Sequence, residues 1–191
     1  MSVSADGFVC GPNGEMDWML PTMSDEGREW LAESFGRVGL IAIGRRSYQD
    51  MAGYWLTSSI SLARPMNEIP KAVFSKTGTA EVPAAVKDAT GVDEAARQSW
   101  MNPTVMGTDL VADVQRLKAE GGKPVMAIGG ASFAASLVAA NLVDELLLSV
   151  HPVAIGQGRP LFAYIEAPVH LVLKDLKKFD SGVVAKVYRP A

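Results

Sequence analysis

The sequence predicts a mixed α/β fold in which a mostly parallel central sheet carries helices on both faces and an antiparallel hairpin at its C-terminal edge. Short apolar segments at residues 38–43 and 125–128 each end in a turn that a helical pattern follows. Such nearly continuous apolar runs are typical of parallel strands buried on both faces. After residue 140 strands follow one another without helices, and residues 180–182 separate the last two as a hairpin turn would. Strand–helix alternation followed by strands alone indicates a three-layer fold with an antiparallel edge.

Local patterns place the individual elements. Ser24 is positioned to cap a helix whose first turn contains Asp25 and Glu26, and carboxylates favour a helix N-terminus. Thr108 begins a second helix, which Gly121 and its neighbouring glycine end. The remaining predicted elements are strands at 38–43, 72–74, 125–128, 146–150, 171–176 and 183–188, and helices after residue 44 and at 132–140. Residues 78–102 show no clean period, and we expect a long surface connection without chemical function there.

Length and composition predict one domain over residues 1–191. A chain of this length with 48% hydrophobic residues can bury a full core and is not of the disordered class. Cys10 is the only cysteine, which excludes an intrachain disulfide, and two histidines at no ligand spacing argue against a metal site. Met1–Ser4 resembles the end of a strand, so we expect the start of that strand to lie outside this sequence.

Charge and hydropathy narrow the classes of partner. The formal net charge is −3, which argues against a general nucleic-acid surface or an anionic-membrane surface. No apolar run reaches membrane-spanning length, and the first residues do not form a basic-then-apolar leader. We therefore expect a cytoplasmic protein in which a local basic patch holds any phosphate.

Three predicted strands end in residues that suit a phosphate-bearing ligand. These turns are Gly44-Arg45-Arg46-Ser47, Ser75-Lys76-Thr77 and Gly129-Gly130-Ala131-Ser132. Ligands of open α/β sheets bind beyond the carboxyl ends of the strands, so parallel neighbours would bring the three turns to one edge. Glycines permit close approach to the backbone, a helix start offers free N–H groups, and arginine can hold a phosphate bidentately. Together the turns predict a dinucleotide site with cations for a 2′-phosphate.

Each turn also has a simpler interpretation. A Gly-Gly pair after a strand is often only a tight turn, Arg45–Arg46 alone is often a solvated pair, and Ser-Lys-Thr alone carries little signal. The G-x-G-x-x-G fingerprint is absent. The hypothesis depends on all three turns occurring at successive strand ends.

In order along nearly the whole chain, these residues resemble the dihydrofolate-reductase-like fold, and within it the RibD C-terminal domain family of riboflavin biosynthesis. The matching segments are residues 4–8 with Asp17 and Trp18, Ile43 to Tyr48, Phe74 to Thr77, Ile128 to Ala131, and Leu142 to Phe162. The last of these segments is the most specific.

The resemblance implies an NADPH-dependent reductase that transfers a hydride to a pyrimidine- or pterin-like heterocycle, similar to 5-amino-6-(5-phosphoribosylamino)uracil reductase. It also implies a homodimer. The implied cofactor-binding residues are Ala5, Gly44, Arg45, Arg46, Ser47, Ser75, Lys76, Thr77, Gly129, Gly130, Ala131, Ser132, Gly156 and Gly158.

Among the residues expected to lie near the substrate, Asp6 and Asp25 are the candidate catalytic carboxylates. Asp17 and Trp18 are candidate substrate-binding residues. Asp6 would orient the substrate or relay a proton, or else it only builds an Asp-Gly turn. Alternatively, Asp25 only interacts favourably with the dipole of the helix that it begins, and Trp18 only packs in the core. His151, at a strand end, is expected to be a hydrogen-bonded structural residue.

Two other functions stay open at this point. One is a non-catalytic module that binds NADP(H) or another nucleotide. The other is a dihydrofolate reductase proper, which would need a carboxylate at the start of the first helix to hold the pterin. Asp25 and Glu26 are near that place, but their spacing does not match, which counts against folate reduction.

Overall fold

The computed structural model describes all 191 residues, and the chain divides into two compact units. Unit 1 comprises Met1–Gly27 and Ala131–Ala191, and unit 2 comprises Arg28–Gly130. The strands are β1 (Ser2–Ser4), β2 (Phe8–Cys10), β3 (Leu40–Gly44), β4 (Lys71–Phe74), β5 (Thr104–Val105), β6 (Val125–Ile128), β7 (Leu146–His151), β8 (Arg159–Pro160), β9 (Leu171–Lys178) and β10 (Val184–Pro190). The helices are a 3₁₀ helix (Asp17–Thr22), α1 (Asp25–Phe35), α2 (Arg45–Thr57), α3 (Ala63–Glu68), α4 (Ala84–Lys87), α5 (Glu94–Met101), α6 (Leu110–Glu120) and α7 (Ala131–Ala139).

Unit 2 is built on a four-stranded parallel sheet with the order β5-β4-β3-β6. The central strand β3 pairs with a neighbour on each side, so that Ile43 lies opposite both Val73 and Ile128. Its side chains are buried, as Ile41 and Ile43 show. This explains the nearly continuous apolar pattern from which a parallel strand was predicted.

Unit 1 is built on a second four-stranded sheet with the order β1-β7-β10-β9. Strands β1 and β7 are parallel, whereas β10 is antiparallel to both β7 and β9. Strands β2 and β8 form a separate antiparallel pair. Apolar residues of β7 and the small residues of α7 share one core cluster, which includes Leu146, Leu148, Ala134 and Val138.

The predicted mixed α/β class, with a parallel sheet, helices and an antiparallel hairpin edge, is confirmed. The strands are distributed over two four-stranded sheets and one two-stranded pair. The prediction of one domain over residues 1–191 stays a prediction. No helix is long and apolar enough to cross a membrane.

The predicted helix starts are confirmed to within a residue. Ser24 Oγ accepts a hydrogen bond from Gly27 N–H (3.1 Å) at the start of α1. The cap of α6 is Asp109, whose carboxylate accepts from Ala112 N–H (3.0 Å), and Thr108 precedes it. Gly121 ends α6 with a φ of +67°, a conformation that favours glycine.

The interpretation of residues 78–102 as a surface connection is wrong. This segment contains α4 and α5, and it contributes the fully buried side chains of Val86 and Trp100 to the core of unit 2. Asp93 caps α5 by accepting from Ala96 N–H (2.8 Å). Because α4 and α5 are only one or two turns long, their apolar residues show no helical period in the sequence.

Lys71, at the start of β4, is buried in the core of unit 2 without a charged partner. Only 1% of the residue is exposed, and its Nζ lies 2.5 Å from Ser99 Oγ and 4.4 Å from the ring centroid of Trp100. A longer hydrogen bond of 3.4 Å runs to the carbonyl oxygen of Asn67. These partners are neutral, and burial lowers the pKa of Lys71 from 10.5 to about 7.

We expect this lysine to make stability depend on pH. Since its folded pKa lies below its unfolded value, the unfolded chain binds more protons between pH 7 and 10.5, and the free energy of unfolding rises with pH there. The whole shift corresponds to at most about 5 kcal/mol. Urea unfolding at several pH values should show this rise in the wild type and a flatter profile in Lys71→Met. The exposed Lys87→Met is the matched control, and equal profiles for all three proteins would contradict the prediction.

Candidate functional site

In unit 2, the turns at residues 44–47 and 75–77 and the two glycines at 129–130 lie at one edge of the parallel sheet. Gly44 pairs with Phe74, and Ile43 pairs with Ile128, so β3, β4 and β6 end at nearly the same level. The turn at residues 45–47 therefore lies between the turns at 75–77 and 129–130. The expected convergence of the strand ends is present in the fold.

The start of α2 is open towards this edge. Its cap residue is Gly44, which has no side chain to accept from the first N–H groups of the helix. Gly129 lies beside this helix with a φ of +64°, and a Cβ on Gly129 would come within 3.0 Å of Ser47 Cβ and 3.2 Å of Met51 Sδ. A helix N-terminus with unpaired N–H groups and a nearby glycine can accept a phosphate against the backbone.

The cations of this edge are exposed. Arg45, Arg46 and Lys76 are open to solvent, and Arg46 has only a weak ion pair with Asp50 at 3.9 Å. The hydroxyls are more ordered, because the buried Ser75 Oγ lies 3.0 Å from Thr77 Oγ1. This edge combines positive charge, hydroxyl groups and helix N–H groups, the set that a phosphorylated nucleotide requires.

The sequence reasoning missed a fourth strand end at the same edge. Strand β5 is parallel to β4, and the chain continues from it through Gly107 to the cap residue Asp109. A Cβ on Gly107 would come within 3.1 Å of Oδ2 of the buried Asp113, an oxygen that has no hydrogen-bond partner. Asp113 Oδ1 accepts from Arg116 (2.9 Å). A strand of two exposed residues leaves no apolar signal, and the helix start predicted at Thr108 was the only sequence feature near this place.

In unit 1, Asp6 ties the loop after β7 to the loop after β1. Its Oδ2 accepts from Gly156 N–H (2.8 Å) and from Ile155 N–H (3.1 Å), while its Oδ1 accepts from Ser4 Oγ (2.5 Å). The hydrogen bonds from Ser4 and Gly156 lower the pKa of Asp6 below its usual 3.8. The carboxylate that sequence reasoning offered as a proton relay is thus engaged in holding a loop, in addition to its place in the Asp-Gly turn.

Trp18, Thr22 and His151 form a second cluster in unit 1. The rings of Trp18 and His151 meet edge to face with centroids 5.5 Å apart, and Thr22 Oγ1 lies 2.8 Å from His151 Nδ1. Thr22 donates its single hydroxyl proton to Met19 O (3.0 Å), so we assign the imidazole proton to Nδ1. The remaining lone pair lies on Nε2, which is buried without a partner, and burial lowers the pKa of His151. His151 is hydrogen-bonded, as expected, and its buried Nε2 has no hydrogen-bond partner; its structural role stays a prediction.

Glycine suits residues 156 and 158 for two different structural reasons. Gly156 has a φ of +75°, and Gly158 packs so closely that a Cβ would lie 2.2 Å from Cys10 O. Among the other predicted residues, Asp17, Asp25 and Ser132 are exposed, and Ala131 is buried at the start of α7. Ala5 donates its N–H to Val153 O (2.7 Å).

Comparison with known proteins identifies the family. The profile of the RibD C-terminal domain matches residues 1–185. The chain belongs to this family. It is also 29% identical over 193 residues to the uncharacterized protein YyaP of Bacillus subtilis (strain 168), a match that covers 98% of this chain and 91% of YyaP.

Solved structures with the same fold include RibD-like and folate-reducing enzymes. A deaminase/5-amino-6-(5-phosphoribosylamino)uracil reductase of Thermotoga maritima superposes with a TM-score of 0.68 at 13% identity, covering all of this chain and 55% of that one. A dihydrofolate reductase of Enterococcus faecalis, complexed with NADP(H) and RAB-propyl, has a TM-score of 0.60 at 16% identity and covers 99% of this chain and 92% of that one. At these identities the likeness establishes the dihydrofolate-reductase-like fold of the RibD C-terminal domain.

We expect Asp6→Asn to loosen the loop at residues 155–156, because one amide oxygen cannot replace two carboxylate oxygens as acceptor for three donors. Hydrogen exchange of the Ile155 and Gly156 amides should become about tenfold faster at neutral pH. In the wild type, the lowered pKa of Asp6 means that the tether persists at neutral pH and is lost only as pH falls through that value. Asp17→Asn is the control, and unchanged exchange in Asp6→Asn would contradict the tether.

Proposed function

We propose that the protein is an NADPH-dependent reductase that transfers a hydride to a pyrimidine- or pterin-like heterocycle. Membership of the RibD C-terminal domain family supports a reductase-like role. The observation that carries the proposal is the alignment of three parallel strand ends in unit 2, which brings together a helix start, glycines and cations. NADPH has three phosphate groups that require these features.

The residues of this edge fit the phosphate groups of the cofactor. The α2 N-terminus and Gly129 would hold a pyrophosphate, because the helix start has no side-chain cap and the glycine lets a ligand reach the backbone. Arg45 would hold the 2′-phosphate, since it is exposed and no carboxylate of the chain is paired with it. Ser75 and Thr77 supply ordered hydroxyls beside it.

When bound, NADPH supplies the hydride. The chain's own residues would align the substrate and exclude water. In unit 1, we propose that Trp18 and Asp17 bind the substrate and that Asp6 holds the 155–156 loop in place. Because three donors already engage the Asp6 carboxylate, we propose for Asp6 the orienting role rather than proton transfer.

The experiment that tests this function has two stages. In the first stage, the protein is titrated with NADPH and separately with NADH, and binding is measured by fluorescence. NADPH should bind more tightly than NADH. Oxidation of bound NADPH is then followed at about 340 nm, where reduced nicotinamide absorbs, on addition of aminopyrimidine ribityl or ribosyl phosphates, pterins or dihydrofolate. Turnover of an aminopyrimidine supports the proposal, and turnover of dihydrofolate alone assigns a folate reductase. Binding without any turnover would favour a nucleotide-binding module, and failure to bind either cofactor would overturn the site.

The substitution Arg45→Ala tests whether Arg45 binds the 2′-phosphate of NADPH. We expect it to weaken NADPH binding about tenfold while NADH binding changes little, because only NADPH carries the additional phosphate. Arg64→Ala is the matched control, since Arg64 is an exposed arginine of unit 2 whose guanidinium pairs with Glu68 at 2.9 Å on α3. Equal losses of affinity for both cofactors in Arg45→Ala would show that another residue reads the phosphate.

A further inference from the structure

The polar and aromatic contacts that join the 3₁₀ helix (Asp17–Thr22) to distant parts of unit 1 all involve one residue, His151. The other hydrogen bonds of the helix are local, since Met19 N–H donates to Met16 O (3.3 Å) and Thr22 Oγ1 donates to Met19 O (3.0 Å). No residue of this helix is buried, and none belongs to a core cluster. Burial therefore contributes little to holding the helix in place.

Two side chains of the helix contact the imidazole of His151 from different directions. Thr22 Oγ1 accepts from Nδ1 (2.8 Å), and the ring of Trp18 meets the imidazole edge to face with centroids 5.5 Å apart. His151 itself is 3% exposed and ends β7, where it lies opposite Ser4 of the parallel strand β1. The helix is thus docked on a residue that two paired strands hold in place.

This arrangement suits the neutral imidazole and not the charged one. Nδ1 carries the proton, and Nε2 is buried without a hydrogen-bond partner. A second proton on Nε2 would create a buried donor without an acceptor and a positive charge out of reach of water, and both are unfavourable. Thr22 Oγ1 is a neutral hydroxyl, so it does not compensate that charge as a carboxylate would. Burial accordingly lowers the pKa of His151 below its usual 6.5.

No carboxylate forms an ion pair with His151. The charged group that acts on its pKa is the amino group of Met1, which lowers the pKa further by repulsion. This amino group donates to Leu147 O (2.6 Å), and burial lowers its own pKa to about 6. The other charged groups on the elements next to His151 are exposed and include Asp6, Asp17, Asp25, Glu26 and Asp180.

We propose that protonation of His151 releases the 3₁₀ helix from β7, so that the helix is docked at neutral pH and released at acid pH. In the released form, water can solvate the charged ring. The released imidazole binds a proton more readily than the docked one, so falling pH favours release. Release begins near the usual pKa of 6.5 and is complete below the lowered value. The inference is independent of the proposed reductase activity, and its test requires no substrate.

Nuclear magnetic resonance of the wild type tests this release. The indole N–H resonance of Trp18, identified by its absence from Trp18→Phe, reports whether the ring still contacts His151. In a titration from about pH 8 to about pH 5, this resonance and the ring C–H resonances of His151 should move with one midpoint below about 6.5. The ratio of released to docked helix should rise about tenfold or more, because a pKa difference of one between the two forms changes their ratio about tenfold.

Two variants separate His151 from other titrating groups. His151→Asn keeps an N–H donor for Thr22 but cannot be protonated in this range, so the Trp18 resonance should not move. His170→Gln removes the other histidine of the chain, which is exposed, and is the matched control that should titrate as the wild type does. Circular dichroism checks that each variant is folded.

The wild type alone can overturn the inference. A Trp18 resonance that stays constant while His151 titrates would do so, as would a His151 that stays neutral until the whole chain unfolds. An unchanged movement of the Trp18 resonance in His151→Asn would assign the effect to another group, such as the amino group of Met1, and would overturn the inference as well.

Discussion

The hydrogen-bonded register of β3 between β4 and β6 is the constraint on which the candidate cofactor site depends. It aligns Gly44 with Phe74 and Ile43 with Ile128, and the turns that follow these residues then share one edge. The register is set by the core, because Ile41, Ile43 and Val73 are fully buried. Because β3 is buried on both faces, a slip of one residue would exchange the side chains that pack on the two faces of the sheet and would shift the turns relative to one another. The packing of the core of unit 2 therefore determines where the residues of the candidate cofactor site lie relative to one another.

Two carboxylates of unit 1, those of Asp6 and Asp175, accept hydrogen bonds from backbone N–H groups. Asp6 accepts from two loop N–H groups, and Asp175 accepts from Leu176 N–H at the open edge of β9. Each satisfies donors that no strand or helix pairs with, which an isolated backbone N–H requires. The N–H groups bound by Asp6 belong to a loop, whereas the N–H bound by Asp175 lies on β9, the outer strand of the sheet. In the sequence, nothing distinguishes the role of Asp6 from that of Asp175. Their roles can be assigned only from the hydrogen bonds that each carboxylate accepts.

Much of the fold could be predicted because its signals are local. Ser24 and the glycine at residue 121 mark helix ends through backbone hydrogen bonding and φ alone, and residues 180–182 mark the hairpin in the same way. Residues 78–102 could not be predicted, because short helices such as α5 acquire their order from Trp100 packing against Lys71 and Tyr48, which are distant in sequence. The end of β5 was missed for the same reason, since β5 forms by pairing with β4, which is distant in sequence.

By itself, the sequence determined the α/β class, the three polar strand ends and the RibD-like order of motifs, because periodicity, glycine and charge act over a few neighbouring residues. Only the tertiary structure decided that Asp6 holds a loop, that His151 Nε2 is buried without a hydrogen-bond partner, and that Lys71 is buried without a charged partner. It also decided that the 3₁₀ helix (Asp17–Thr22) contacts distant parts of unit 1 through His151. These properties depend on which distant groups share a hydrogen bond or exclude water, and no local pattern encodes that.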